Sequence, residues 1–148
     1  MKLNLTLNGR KVSAEIPEDQ SLLKFLRSQG CYSVKCGCET SNCGLCTVWL
    51  DGAPVLSCNV PAARCEGHSV TTLEGVQAQA EEFGAFLADQ GGEQCGFCNP
   101  GFIMNVLAME RELQDPTVEE INEYLAARKP SRLTPMAAAL TTAPSPRA

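Results

Sequence analysis

Lys35-Cys36-Gly37-Cys38-Glu39-Thr40-Ser41-Asn42-Cys43-Gly44-Leu45-Cys46 packs four thiols into twelve residues. Three of its thiols recur at Cys-x4-Cys-x2-Cys spacing, and a fourth, Cys58, returns after a short hairpin pattern. Gly37 precedes the first of them and Gly44 lies between the second and third. Those glycines let the backbone wrap tightly and aim N–H groups at sulfur. Four thiolates delivered by one loop and one nearby strand end can bind two irons and two bridging sulfides.

This is the plant-type [2Fe-2S] spacing, and it makes Cys38, Cys43, Cys46 and Cys58 the candidate ligands. Structural zinc is the competing reading. It usually takes two short Cys-x2-4-Cys pairs, whereas here one tight pair is followed by a distant single thiol. A disulfide framework fits least, because nine cysteines is an odd count and no secretory leader precedes them.

Working outward, Leu3 to Leu7, the turn pair Asn8-Gly9 and Lys11 to Ile16 read as a hairpin with Leu3, Leu5 and Leu7 on one face. Ser21 is placed to cap a short helix from Leu22 to Gln29 that Gly30 ends. Thr47 to Leu50, Asp51-Gly52 and Ala53 to Leu56 form a second hairpin pattern that carries Cys58 back, and Ser69 to Leu73 adds a last strand. From about Val76 the period becomes helical. Gln77 to Gln90 reads as one helix. A second starts at Asn99-Pro100, with Asn99 as the N-cap, and a third is announced by the capping box Thr117-x-x-Glu120. Beyond Lys129, prolines at 130, 135, 144 and 146 among Ala, Thr and Ser predict a tail or an arm that lies on a partner.

Composition bounds the function classes. With 148 residues, 44% hydrophobic and 20% charged, the chain can fill one domain core or two small ones. A net charge of −5 with no basic patch argues against nucleic acid as a partner. No apolar run approaches the ~18 residues of a membrane helix, so a cytoplasmic protein is expected. Ser-His-Asp sets, phosphate loops and paired-carboxylate signatures that would support catalysis by this chain alone are missing.

Seven ordered blocks carry a family resemblance over nearly the whole chain to about Leu125. They include Val34-Lys35-x-Gly37-Cys38, Cys43-Gly44-x-Cys46-Thr47-Val48, Asp51-Gly52, Ser57-Cys58, Val70-Thr71-Thr72-Leu73-Glu74-Gly75 and Gln94-Cys95-Gly96-Phe97-Cys98-x-Pro100-Gly101. Together they resemble the iron-sulfur small subunit of the molybdenum hydroxylases, the xanthine dehydrogenase and carbon monoxide dehydrogenase superfamily. The resemblance implies an α+β chain: a β-grasp 2Fe-2S ferredoxin domain at 1–75, a small helical-bundle 2Fe-2S domain at 76–130, and a tail at 131–148. It also implies partners, namely a large subunit with a molybdenum-pterin cofactor and a subunit with FAD, electrons passing from the first toward the second. Gln94 and Cys95 then lie in the loop that meets the pterin cofactor.

One departure from the family pattern stands out. There the second 2Fe-2S cluster takes two thiols from the Gln-Cys-Gly-x-Cys loop, here Cys95 and Cys98, and two from a later Cys-Arg-Cys-Thr-Gly-Tyr segment. The corresponding stretch here is Ser131-Arg132-Leu133-Thr134-Pro135-Met136. Leu133 has no donor atom, and Ser131 offers only an alcohol oxygen. Cys31, Cys36 and Cys65 are spare thiols in the ferredoxin half. From the residues alone, Cys95 and Cys98 read as two reduced, packed cysteines; a cluster completed by a partner chain is the other option. Three functions remain open at this level: that of an electron-transfer subunit, that of a stand-alone one-cluster ferredoxin, and that of a structural or assembly subunit with an interrupted relay.

Overall fold

The computed structural model describes residues 1–38 and 40–127, so the tail, with Ser131 and Leu133, lies outside the described residues. Five strands form one mixed sheet in the order β2-β1-β5-β3-β4. They are β1 (Lys2–Leu7), β2 (Arg10–Glu15), β3 (Thr47–Leu50), β4 (Ala53–Leu56) and β5 (Ser69–Thr71). β1 pairs antiparallel with β2 and parallel with β5, and β3 pairs antiparallel with both β4 and β5. Both hairpins turn on the dipeptides that the sequence marks. Asn8 and Gly9 have φ of 50° and 80°, and Asp51 and Gly52 have 49° and 84°, the all-positive pattern of a tight two-residue connection.

The alternation in β1 places Leu3, Leu5 and Leu7 in one core, all at most 7% exposed. Helix α1 (Leu22–Ser28) covers that face with Leu22, Leu23, Phe25 and Leu26, and Ser21 accepts from the Lys24 N–H at 3.3 Å. Val48, Val70, Cys31, Cys46 and Cys65 belong to the same cluster.

Three further helices, α2 (Gln77–Asp89), α3 (Asn99–Glu112) and α4 (Val118–Ala127), build a second core from Phe83, Leu87, Phe102, Met104, Val106, Ile121 and Leu125. The capping box closes reciprocally: the Thr117 N–H donates to Glu120 at 2.7 Å and the Glu120 N–H donates to Thr117 Oγ1 at 3.2 Å. Trp49 of β3 belongs to this second core, although its neighbour Val48 belongs to the first. Successive strand residues face opposite sides, so β3 is buried on both faces, with α1 on one side and α3 on the other. Trp49 Nε1 donates to the Met104 carbonyl at 3.0 Å, and the Arg111 guanidinium lies 3.8 Å above the indole ring while donating to the Gly52 carbonyl.

Two sequence expectations change. Asn99 is not the N-cap: the residue before it, Cys98, already has helical backbone angles, φ −85° and ψ −12°, and accepts from the Phe102 N–H. The Asn99 side chain instead donates to Glu93 at 2.9 Å. The last strand stops at Thr71, because Leu73–Gly75 folds into a short 3-10 turn. That turn lets Glu74 reach back to the Ser33 N–H at 2.9 Å and the Ser33 hydroxyl at 2.6 Å.

Candidate metal centre

The loop between α1 and β3 brings Cys38, Cys43 and Cys46 to one pocket, and Cys58 completes the set from the 3-10 turn Ser57–Asn59 that follows β4. Two glycines make the wrap possible. A Cβ on Gly37 would sit 2.9 Å from Cys43 Sγ and 2.5 Å from Leu45 Cδ1. Gly44 has φ of 74°, a left-handed value that favours glycine. Ser41 shares that region at 58° and its hydroxyl lies 3.8 Å from Cys58 Sγ. Ser57 fixes the far side by donating its hydroxyl to the Cys46 carbonyl at 2.7 Å.

Cys38 sits in a ring of donors. The backbone N–H groups of Thr40, Asn42 and Cys43 point at its sulfur from 3.4, 3.4 and 3.3 Å. The Thr40 hydroxyl first, and then these three N–H groups, bring its thiol down to about 6, so it is largely a thiolate at neutral pH. Burial acts the other way deeper in the pocket. It raises Cys43, and it pushes Cys46, which lies against Cys58, up to about 11. Among the described residues no three His, Cys, Asp or Glu side chains close on a single ion. Cys43 lies beside Cys38 and Cys46 beside Cys58, all four around one pocket. Four thiols lining one pocket, with backbone N–H groups on sulfur, are the donor set a binuclear iron-sulfide core requires, and these residues fit it.

The second cysteine loop is held against the first. Gly101, early in α3, packs so closely that a Cβ there would lie 2.8 Å from the Gly44 carbonyl oxygen and 2.9 Å from Leu45 Cα. Lys35 Nζ is 5.7 Å from the centroid of the Phe97 ring, joining the two loops at the surface. Gln94 and Cys95 are exposed, Phe97 is 48% exposed and Cys98 is half-buried. The two thiols are therefore not the packed pair expected from the residues alone, since Cys95 stands outside the core. Trp49, Asn105, Gly101 and Arg111 join the halves, and no sequence motif marks them for that role. Only the apolar Trp49 at an outward strand position hints at a covered second face.

Residues 5–69 match the 2Fe-2S iron-sulfur cluster binding domain, and residues 72–139 match a second family, the [2Fe-2S] binding domain. Those matches set the class: a two-part iron-sulfur protein. The nicotinate dehydrogenase small FeS subunit of Eubacterium barkeri is 40% identical over 125 residues, covering 80% of this chain and 78% of the relative. The xanthine dehydrogenase iron-sulfur-binding subunit of Escherichia coli O157:H7 is 38% identical over 128 residues, 84% of this chain and 80% of that one. In structure, quinoline 2-oxidoreductase from Pseudomonas putida 86 superimposes with a TM-score of 0.84 at 28% identity, over 96% of this chain and 91% of the matched chain. The chain belongs to the family of iron-sulfur small subunits of the molybdenum hydroxylases.

Proposed function

We propose that this chain is the electron-transfer subunit of a heteromeric molybdenum hydroxylase and that Cys38, Cys43, Cys46 and Cys58 hold its [2Fe-2S] cluster. The observation that carries this reading is the convergence of those four thiols on one pocket, with three N–H groups aimed at Cys38 sulfur. A bound cluster supplies one-electron transfer. The chain supplies the rest. Donors around Cys38 stabilise negative charge on the ligand sulfur, and Leu23 closes the pocket from the α1 side.

The large subunit of the complex bears the molybdenum-pterin cofactor, and the exposed loop with Gln94 and Cys95 faces it. A subunit with FAD receives the electrons. Substrate chemistry belongs to the large subunit, since this chain offers no catalytic set of its own. The complex works in the cytoplasm. No helix among the described residues is long and apolar enough to cross a membrane. A stand-alone ferredoxin has no use for a helical half that buries Trp49 of its sheet.

The test is Cys43→Ser in the assembled complex. Loss of the visible absorption and of the reduced-state resonance of a [2Fe-2S] cluster, with loss of electron delivery to the acceptor, is the expected result. An unchanged spectrum means that the ligand assignment is wrong.

A further inference from the structure

The ligand inventory of this chain does not stretch to two clusters. All nine cysteines in the sequence fall at or before residue 98. Five line the first pocket, Cys36 together with Cys38, Cys43, Cys46 and Cys58. Cys31 and Cys65 are 5% and 0% exposed inside the core beneath α1, packed among Leu and Val side chains. Neither can reach the helical half without dismantling that core. The single histidine, His68, is held by Asp51 at 2.6 Å beside the start of β5. Near Cys95 and Cys98, the Glu93 carboxylate is taken up by the Asn99 amide. Each iron of a [2Fe-2S] core shares two bridging sulfides and needs two protein ligands, four in all. The helical half presents two. At the positions where the family pattern has its later pair, the sequence reads Ser131 and Leu133, and a leucine side chain can ligate nothing.

Taking as given that the first pocket holds iron, we infer that the helical half of this chain carries no [2Fe-2S] cluster, so that the subunit contributes one cluster to the complex. Two thiols leave a binuclear core half-ligated, and Cys31 and Cys65 are locked into the core on the other side of the sheet.

The experiment is iron and acid-labile sulfide per chain in the complex purified with its partners, together with low-temperature resonance of the fully reduced sample. About two irons per chain and one [2Fe-2S] signal are expected. Replacing both Cys95→Ser and Cys98→Ser should leave the iron count, the sulfide count and that signal unchanged. Cys95 is exposed and Cys98 half-buried, so serine is tolerated at both. Four irons with two signals would overturn the inference. So would loss of iron in the double variant, including the case in which a partner subunit supplies the missing ligands. An iron-free complex would instead sink the electron-transfer reading on which this rests.

Discussion

Asn105 donates its side-chain amide to Thr47 Oγ1 at 3.1 Å, tying α3 to the first residue of β3, next to Cys46. The same amide nitrogen donates to the Gly101 carbonyl at 3.0 Å, and the Thr47 hydroxyl passes the connection on to the Gly44 carbonyl at 2.7 Å. Gly44 lies between Cys43 and Cys46, so a helix of the second half props the turn between two thiols of the first. Asn105 is fully buried and its Oδ1 has no hydrogen-bond partner among the described residues.

That orphaned acceptor sets the first prediction. Asn105→Leu removes two hydrogen bonds but also an unpaired buried oxygen, so its stability should stay within about 1 kcal/mol of the parent. Asn105→Asp puts acceptors where Thr47 Oγ1 and the Gly101 carbonyl expect donors, and buries a charge with no cation beside it. It should cost about 3 kcal/mol or more. Denaturant midpoints of the two variants check the order; equal losses would show that the network is not what matters there.

Gly101 provides a second test. A methyl group there meets only backbone of the cluster loop, the Gly44 carbonyl and Leu45, which cannot swing aside as a side-chain tip can. Gly101→Ala should therefore destabilise by about 1–3 kcal/mol, the usual cost of overpacking, and shift the visible spectrum of the cluster. A stable variant with an unaltered spectrum would argue that the two loops separate freely.

Trp49→Ala should cost about 3–5 kcal/mol, the range for deleting a buried large aromatic. It strips the indole from the second core, together with its bond to Met104 and its stack with Arg111. Hydrogen exchange should accelerate across residues 99–112 while β1 and β2 keep their protection. Uniform acceleration over both halves would mean that they unfold as one unit.

Glu74 sets a pH dependence. Burial raises its carboxyl, but donation from the Ser33 hydroxyl, the Thr72 hydroxyl and the Ser33 N–H outweighs that and leaves it below the ordinary value. A folded-state value below the unfolded one of about 4.3 gives stability that is present above about pH 4.3 and lost as pH falls through the folded value. Glu74→Gln should thus be less stable than the parent at about pH 7, and the gap should close as the pH drops below about 4. A gap constant with pH would assign the contact's worth to shape rather than charge.

The two hairpins, the capped helix before the cysteine loop and the thiol spacing can all be read from residues, because each rests on local chemistry. Asn-Gly and Asp-Gly take positive φ, Ser21 offers an oxygen to a free N–H, and Thr117 and Glu120 satisfy each other three residues apart. The cap expected at Asn99 fails for a reason of the same kind. Its side chain has a choice between the helix end and Glu93, and backbone helical from Cys98 onward settles it.

The iron-sulfur spacing of four thiols and the lack of sulfur at a later pair of positions follow directly from which atoms the residues carry. Which surfaces are covered depends on long-range packing. Period-two alternation places Trp49 opposite Val48, but whether that outward face meets water or α3 depends on residues far along the chain, Met104 among them. The close approach of Gly101 to Gly44, the bridge from Asn105 to Thr47, and the sealing of Cys31 and Cys65 in the first core are contacts of the same long-range kind. They arise from packing two cores on one sheet, and no local pattern encodes them.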